Sequence, residues 1–136
     1  MESLVRQEGL EKKILVSSAG VSGWHVGEPP DNRMQDTAQK HGISLNSHAQ
    51  HFQVTDYNEL DLILAMDQSN LNTLRSLKSD FEAREKLFLF RSFDPQNDGN
   101  LDVPDPYYGG DQGFELVYEM VARTCPNILE HLKTKL

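Results

Sequence analysis

Leu62-Ile63-Leu64-Ala65-Met66-Asp67-Gln68-Ser69-Asn70-Leu71 is the stretch on which the fold class turns. Five apolar residues in succession leave no polar face for water, the pattern of a strand covered on both sides in a parallel sheet. Asp67 ends the run with a side chain suited to cap a helix, and Leu71, Leu74 and Leu77 then recur at helical spacing. Leu87-Phe88-Leu89-Phe90 supplies another strand, and a polar loop over residues 94–112 leads into a last helix. Phe114, Val117, Tyr118, Val121, Ile128, Leu129 and Leu132 form the apolar stripe of that helix, which Pro126 is placed to bend or interrupt. Upstream, Ile14-Leu15-Val16 running into Ser17-Ser18-Ala19-Gly20 reads as a short buried strand entering a turn. Asp31 is an N-cap for a helix through His41, with Met34 and Ala38 on one face and Gly42 as its stop. Residues 2–13 read as an amphipathic helix despite Gly9. Strand and helix alternate, so the expected architecture is a parallel sheet with helices on both faces.

Composition narrows the function. The 136 residues amount to one domain, expected to span 1–136. Thirteen Lys and Arg against 21 Asp and Glu give a net charge of −8, which repels a nucleic-acid backbone, so no nucleic-acid partner is expected. The run Leu62 to Met66 is far below the roughly 20 apolar residues a membrane span needs, and no charged-then-apolar leader opens the chain. The expectation is a soluble, cytoplasmic protein without a membrane partner. Cys125 is the single cysteine; with one thiol there is no internal disulfide and no cysteine-rich metal site.

In open parallel sheets ligands bind beyond the carboxyl ends of the strands, so the loops after Val16, Met66 and Phe90 share one rim. The most distinctive stretch near it is Val103-Pro104-Asp105-Pro106-Tyr107-Tyr108-Gly109-Gly110. Two prolines stiffen an aspartate, two tyrosines follow, and two glycines release the chain. Such an aspartate serves as a general acid where its surroundings raise its pKa. Composition alone favours the blander reading, a proline-stapled surface turn. Asp94-Pro95-Gln96-Asn97-Asp98-Gly99-Asn100-Leu101-Asp102 imitates the start of a calcium loop, but Pro95 follows the first ligand position and no helix precedes it. His41, His48 and His51 match no helix-borne zinc spacing. Ser22 lies outside any G-x-S-x-G elbow. Neither a metal nor another cofactor is expected.

The run Asp105-Pro106-Tyr107-Tyr108-Gly109-Gly110 does not stand alone. Ser18-Ala19-Gly20, Ser22-Gly23-Trp24, Gly27-Glu28-Pro29-Pro30-Asp31 and Ala65-Met66-Asp67-Gln68-Ser69-Asn70-Leu71 accompany it in order along essentially the whole chain. Together they resemble the low-molecular-weight protein tyrosine phosphatases. The resemblance implies a three-layer α/β fold and hydrolysis of aryl phosphomonoesters through a phosphocysteine, with a phosphotyrosine protein or small aryl phosphate as partner. It implies Asp105 as the general acid for the leaving phenol, Tyr107 and Tyr108 flanking the substrate ring, Trp24 as the opposite wall, and Ser18 in the network behind the phosphate loop. Where the family shows H-x-A-R, this chain reads Ser47-His48-Ala49-Gln50, which puts the hydrogen bonds of that histidine and arginine in doubt.

The family's nucleophile and its arginine lie in a C-x-x-x-x-x-R-S loop after a first strand, and Met1-Glu2-Ser3-Leu4 aligns to the helix just beyond it. Cys125 has no arginine six residues on and reads as a small buried hydrophobe. The chain as given is therefore expected to be an N-terminally incomplete and inactive domain. A non-catalytic phosphotyrosine-binding or decoy module, or an arsenate-reductase-like remnant, are the alternative readings. The absent strand is implied to be central, between residues 14–17 and 62–66. Its loss would leave strands roughly 10 Å apart and remove on the order of 8 kcal/mol of burial, so the isolated chain is expected to fold poorly, aggregate or self-associate through the exposed sheet gap.

Overall fold

The computed structural model describes residues 1–21, 26–106 and 110–136. Its elements in order are α1 (Glu2–Gln7), α2 (Asn32–Lys40), α3 (Asp56–Glu59), β1 (Ile63–Ala65), α4 (Gln68–Leu77), α5 (Phe81–Lys86), β2 (Leu87–Leu89), a 3-10 turn (Phe90–Phe93) and α6 (Gly110–Lys133). β1 and β2 pair in parallel, with Ile63 opposite Leu87, Leu64 opposite Phe88 and Ala65 opposite Leu89. A parallel pair needs a crossover, which α4 and α5 provide.

Strand alternation sorts the core into two layers. Ile63, Ala65 and Leu87 turn to one face and bury with Leu71, Leu74, Ala83, Phe52 and Tyr57. Leu62 and Leu64 turn to the other and pack on Phe90, Cys125 and Ile128. The sheet thus lies between α4 and α5 on one side and α6 on the other, the expected α/β arrangement. Asp31, Asp67 and Asp80 cap α2, α4 and α5 through hydrogen bonds from the amides of Arg33, Asn70 and Ala83.

Three expectations need correction. Residues 14–16 form no strand: Ile14 buries against Val5 and Leu129, but Leu15 is 93 % exposed and no neighbouring strand pairs with the segment among the described residues. A single parallel bridge, Gly20 to His51, follows it. The opening helix stops at Gln7, since Gly9 takes a left-handed φ of +69° that an α-helix cannot continue. Pro126 does not interrupt α6. It lacks the N–H that would bond the carbonyl of Ala122, and both residues lie on the exposed side where water can satisfy that carbonyl.

The deepest electrostatic feature is Asp94, just after the 3-10 turn. Its carboxylate, 0 % exposed, accepts from Arg91 Nε at 3.0 Å and from Arg123 Nε at 2.8 Å. Arg123 Nη2 adds a second bond at 2.9 Å, and the amide of Gln96 donates at 2.9 Å. These donors, led by Arg123, hold its pKa far below the ordinary carboxylate range. The stabilisation from this depressed pKa is present above about pH 4, the unfolded aspartate value, and is lost progressively as pH falls toward the folded one. Removing one member of a buried pair leaves a buried charge unpaired, typically at about 3–5 kcal/mol. Asp94→Ala should lower stability by that amount near neutral pH and by less in acid. The denaturant midpoint, measured at several pH values, checks this; equal loss at every pH would contradict it.

Candidate active site

Asp105 is placed by three bonds on the residues just before it. The amide of Val103 donates to the carbonyl of Met66 at 2.7 Å, immediately beyond the end of β1. The carboxylate of Asp102 accepts from the amide of Gln68, the first residue of α4, at 2.8 Å. Arg91 Nη1 donates to the carbonyl of Asp102 at 2.9 Å. The segment entering Asp105 is therefore laid across the carboxyl end of β1, the rim at which such sheets present ligand sites. Asp105 itself is exposed there.

On the far side of Asp105, Gly113 fixes how closely α6 can approach. A β-carbon at Gly113 would lie 3.0 Å from the carbonyl oxygen and 3.6 Å from the α-carbon of Pro106. These are backbone atoms, so relieving the contact means shifting the loop at Pro106 and not a side-chain rotation. Two contacts hold the front of α6 against α2. Arg33 sits over the ring of Phe114, 4.7 Å from its centroid. His41 bonds Glu115 and stacks on Tyr118 at 3.9 Å between ring centroids. His41 is thus part of helix packing, not of a ligand set.

Ser18 lies on the chain entering the Gly20–His51 bridge. Its side chain is exposed, and its carbonyl accepts from Gln50 Nε2 at 2.7 Å. The amide of Gly20 donates to the carbonyl of Gln50 at 2.8 Å, and the amide of Phe52 to the carbonyl of Gly20 at 2.8 Å. Gln50, the departure from H-x-A-R, therefore ties down the Ser18 segment with both its side chain and its backbone. Trp24, Tyr107 and Tyr108 lie outside the described residues.

Cys125 is 5 % exposed among Phe90 and Ile128, and burial pushes its thiol pKa up. Thiolate chemistry needs the opposite shift and access to substrate. The acidic loop that imitates a calcium motif turns several of its side chains on its own backbone. Asp94 takes the amide of Gln96, Asn97 that of Gly99, Asp98 that of Asn100, and Asn100 that of Asp102. These local turns explain the run of Asx residues.

Sequence reading did not find Arg91, Arg123, Gln50 or the role of Asp102, because each acts on a partner distant in sequence or on a backbone group. The contact at Gly113 gives a test. Gly113→Ala should displace Pro106 and shift the amide resonances of Val103 and Asp105. Net stability should change by only about 1 kcal/mol, because alanine's helix preference offsets the crowding. Unmoved resonances would mean that Gly113 does not set this loop.

Residues 1–136 match the low molecular weight phosphotyrosine protein phosphatase family. A low molecular weight protein-tyrosine-phosphatase of Streptomyces coelicolor is 41 % identical over 126 residues, covering 92 % of this chain and 77 % of that protein. The human low molecular weight phosphotyrosine protein phosphatase is 38 % identical over 128 residues, covering 93 % and 80 %. The crystal structure of a protein tyrosine phosphatase from Entamoeba histolytica, with Hepes in its active site, matches with a TM-score of 0.91 at 29 % identity, covering 99 % of this chain and 86 % of that one. Sequence and fold agree along the chain, and it belongs to the low molecular weight phosphotyrosine protein phosphatase family.

Proposed function

We propose that residues 1–136 are the acid-bearing part of one phosphatase domain acting on aryl phosphates such as phosphotyrosine, and that they do not turn over such esters by themselves. The observation that carries this is the bonding of residues 102–103 to the end of β1 and the start of α4, which lays the segment leading to Asp105 on the ligand rim. There Asp105 donates its proton to the phenol oxygen as the phosphorus–oxygen bond breaks and a thiolate takes the phosphoryl group. The resulting carboxylate then draws a proton from the water that attacks the phosphocysteine. Trp24, Tyr107 and Tyr108 wall the aryl ring, and the Ser18 segment lies behind the phosphate.

The thiolate does not come from Cys125, which is buried, weakly acidic and followed by His131 at the position a guanidinium would need. It comes from a C-x-x-x-x-x-R loop, whose backbone amides and arginine would hold the dianion. Exposed Leu15, together with β1 paired to β2 and to no other strand among the described residues, supports a strand position between residues 14–16 and β1. In the isolated chain a second copy fills that position, giving concentration-dependent association. A protein-tyrosine substrate suits the family. No helix among the described residues is long and apolar enough to cross a membrane.

Two measurements test the reading. Purified residues 1–136 should show no hydrolysis of an aryl phosphate above the uncatalysed rate; turnover abolished by Asp105→Asn would place a nucleophile within these residues and overturn it. Adding a strand and C-x-x-x-x-x-R loop should create activity. In that extended chain Asp105→Asn should slow hydrolysis of an ester with a poor leaving group by about 10²- to 10⁴-fold. An unchanged rate would remove Asp105 from the acid role.

A further inference from the structure

We propose that Asp102 is a positioning residue for Asp105, acting as a strap that joins the acid loop to the first turn of α4. The inference rests on the reading of Asp105 as general acid. Asp102 makes three bonds in three directions. Its carboxylate accepts from the amide of Gln68 at 2.8 Å, its carbonyl accepts from Arg91 Nη1 at 2.9 Å, and its amide donates to Asn100 Oδ1 at 3.0 Å. The next residue, Val103, is bonded to Met66. Asp105 lies three residues beyond Asp102, across Pro104, whose ring fixes φ and removes one soft torsion. Whatever sets the position of Asp102 is passed to Asp105 with little slack.

The bond to Gln68 does not serve α4 in the ordinary way. Asp67 already caps that helix, accepting from the amide of Asn70 at 2.7 Å. The amide of Gln68 is a separate N-terminal donor, and a carboxylate from 34 residues away satisfies it. A charge-assisted bond at the positive end of a helix is the strong kind, and here it joins the acid loop to the first turn of α4. The strap is thus a property of the acid loop as much as of the helix.

Gln68 also offers a substitution that cuts the strap without touching Asp102. It is the first residue of α4, where proline is favoured because its missing N–H costs the helix nothing. The preceding Asp67 is extended, with φ −147° and ψ 173°, the conformation a residue before proline requires. Gln68→Pro should therefore keep the helix and its Asp67 cap while removing the backbone donor that bonds the Asp102 carboxylate.

The decisive readout is leaving-group dependence in the chain extended by the strand and C-x-x-x-x-x-R loop. Misplacing a catalytic group by about 1 Å can cost up to about 10²-fold. Read as kcat/KM, which reports the phosphorylation step and not the later hydrolysis of the phosphocysteine, Asp102→Ala and Gln68→Pro should each slow a poor-leaving-group aryl phosphate by about tenfold and leave p-nitrophenyl phosphate, which needs little acid assistance, nearly unchanged. Asp102→Asn, which keeps an acceptor oxygen, should restore most of the rate. In an Asp105→Asn background, Asp102→Ala should add nothing.

If Asp105→Asn shows the leaving-group effect and the strap variants do not, the strap is overturned and the acid assignment stands. If Asp105→Asn shows none, the acid assignment is wrong and the inference fails with it. If the extended chain has no activity, the amide resonances decide. Asp102→Ala and Gln68→Pro must both shift Val103 and Asp105, and resonances that stay in place overturn the strap.

Discussion

A single buried carboxylate organises the half of this molecule that carries the acid loop. Asp94 sits where the 3-10 turn after β2 meets α6, and Arg91 could not be buried beside it without that charge. Arg123 brings in α6 from 29 residues away, while Arg91 comes from the turn itself. Arg91 is the pivotal member, because its Nη1 reaches the carbonyl of Asp102. Through that one guanidinium, the position of the helix, the end of the strand and the start of the acid loop become a single problem of charge neutralisation. Ion pairs of this kind add little net stability over a well-packed apolar core, but they fix geometry strongly, since every alternative leaves a charge unpaired.

The elements that sequence reading found are those with local signals. The run at residues 62–66 and the caps Asp31 and Asp67 announce their elements within a few residues, and the structure has β1, α2 and α4 there. Residues 14–16 mislead, because a β-branched run reports only an affinity for a sheet, whereas a strand exists by pairing. α3 and α5 escaped because they are short, four and six residues, with too few turns to show a period. Tyr57, 1 % exposed with its hydroxyl bonded to the carbonyl of Leu74, is a core residue that no apolar run marks.

The candidate site was legible as a motif and illegible as a mechanism of placement. Asp105 is conspicuous because two prolines and two tyrosines surround it. Nothing local to Asp102, Gln68 or Gly113 distinguishes a residue that places the loop from one that decorates a surface. Their contacts run to backbone groups, and a backbone group has no residue type to read. Gln50 makes the same point from the opposite direction. Judged by residue type it is a lost arginine, yet its amide and backbone hold the Ser18 segment with bonds of 2.7 and 2.8 Å.

These bonds also divide the site into two separately built parts. Val103 to Met66, Asp102 to Gln68 and Arg91 to Asp102 all lie within residues 66–103, and none uses a group from a phosphate loop. The Ser18 segment is held by Gln50 and the Gly20–His51 bridge, again from within the chain. An acid that must meet a leaving oxygen at hydrogen-bond distance needs its position set before substrate arrives, because ordering it during the reaction would add to the barrier. Here that ordering depends on a salt-bridged turn, a helix N-terminus and a glycine contact. On the proposed reading, proton delivery draws its geometry from bonds and contacts made within residues 66–113.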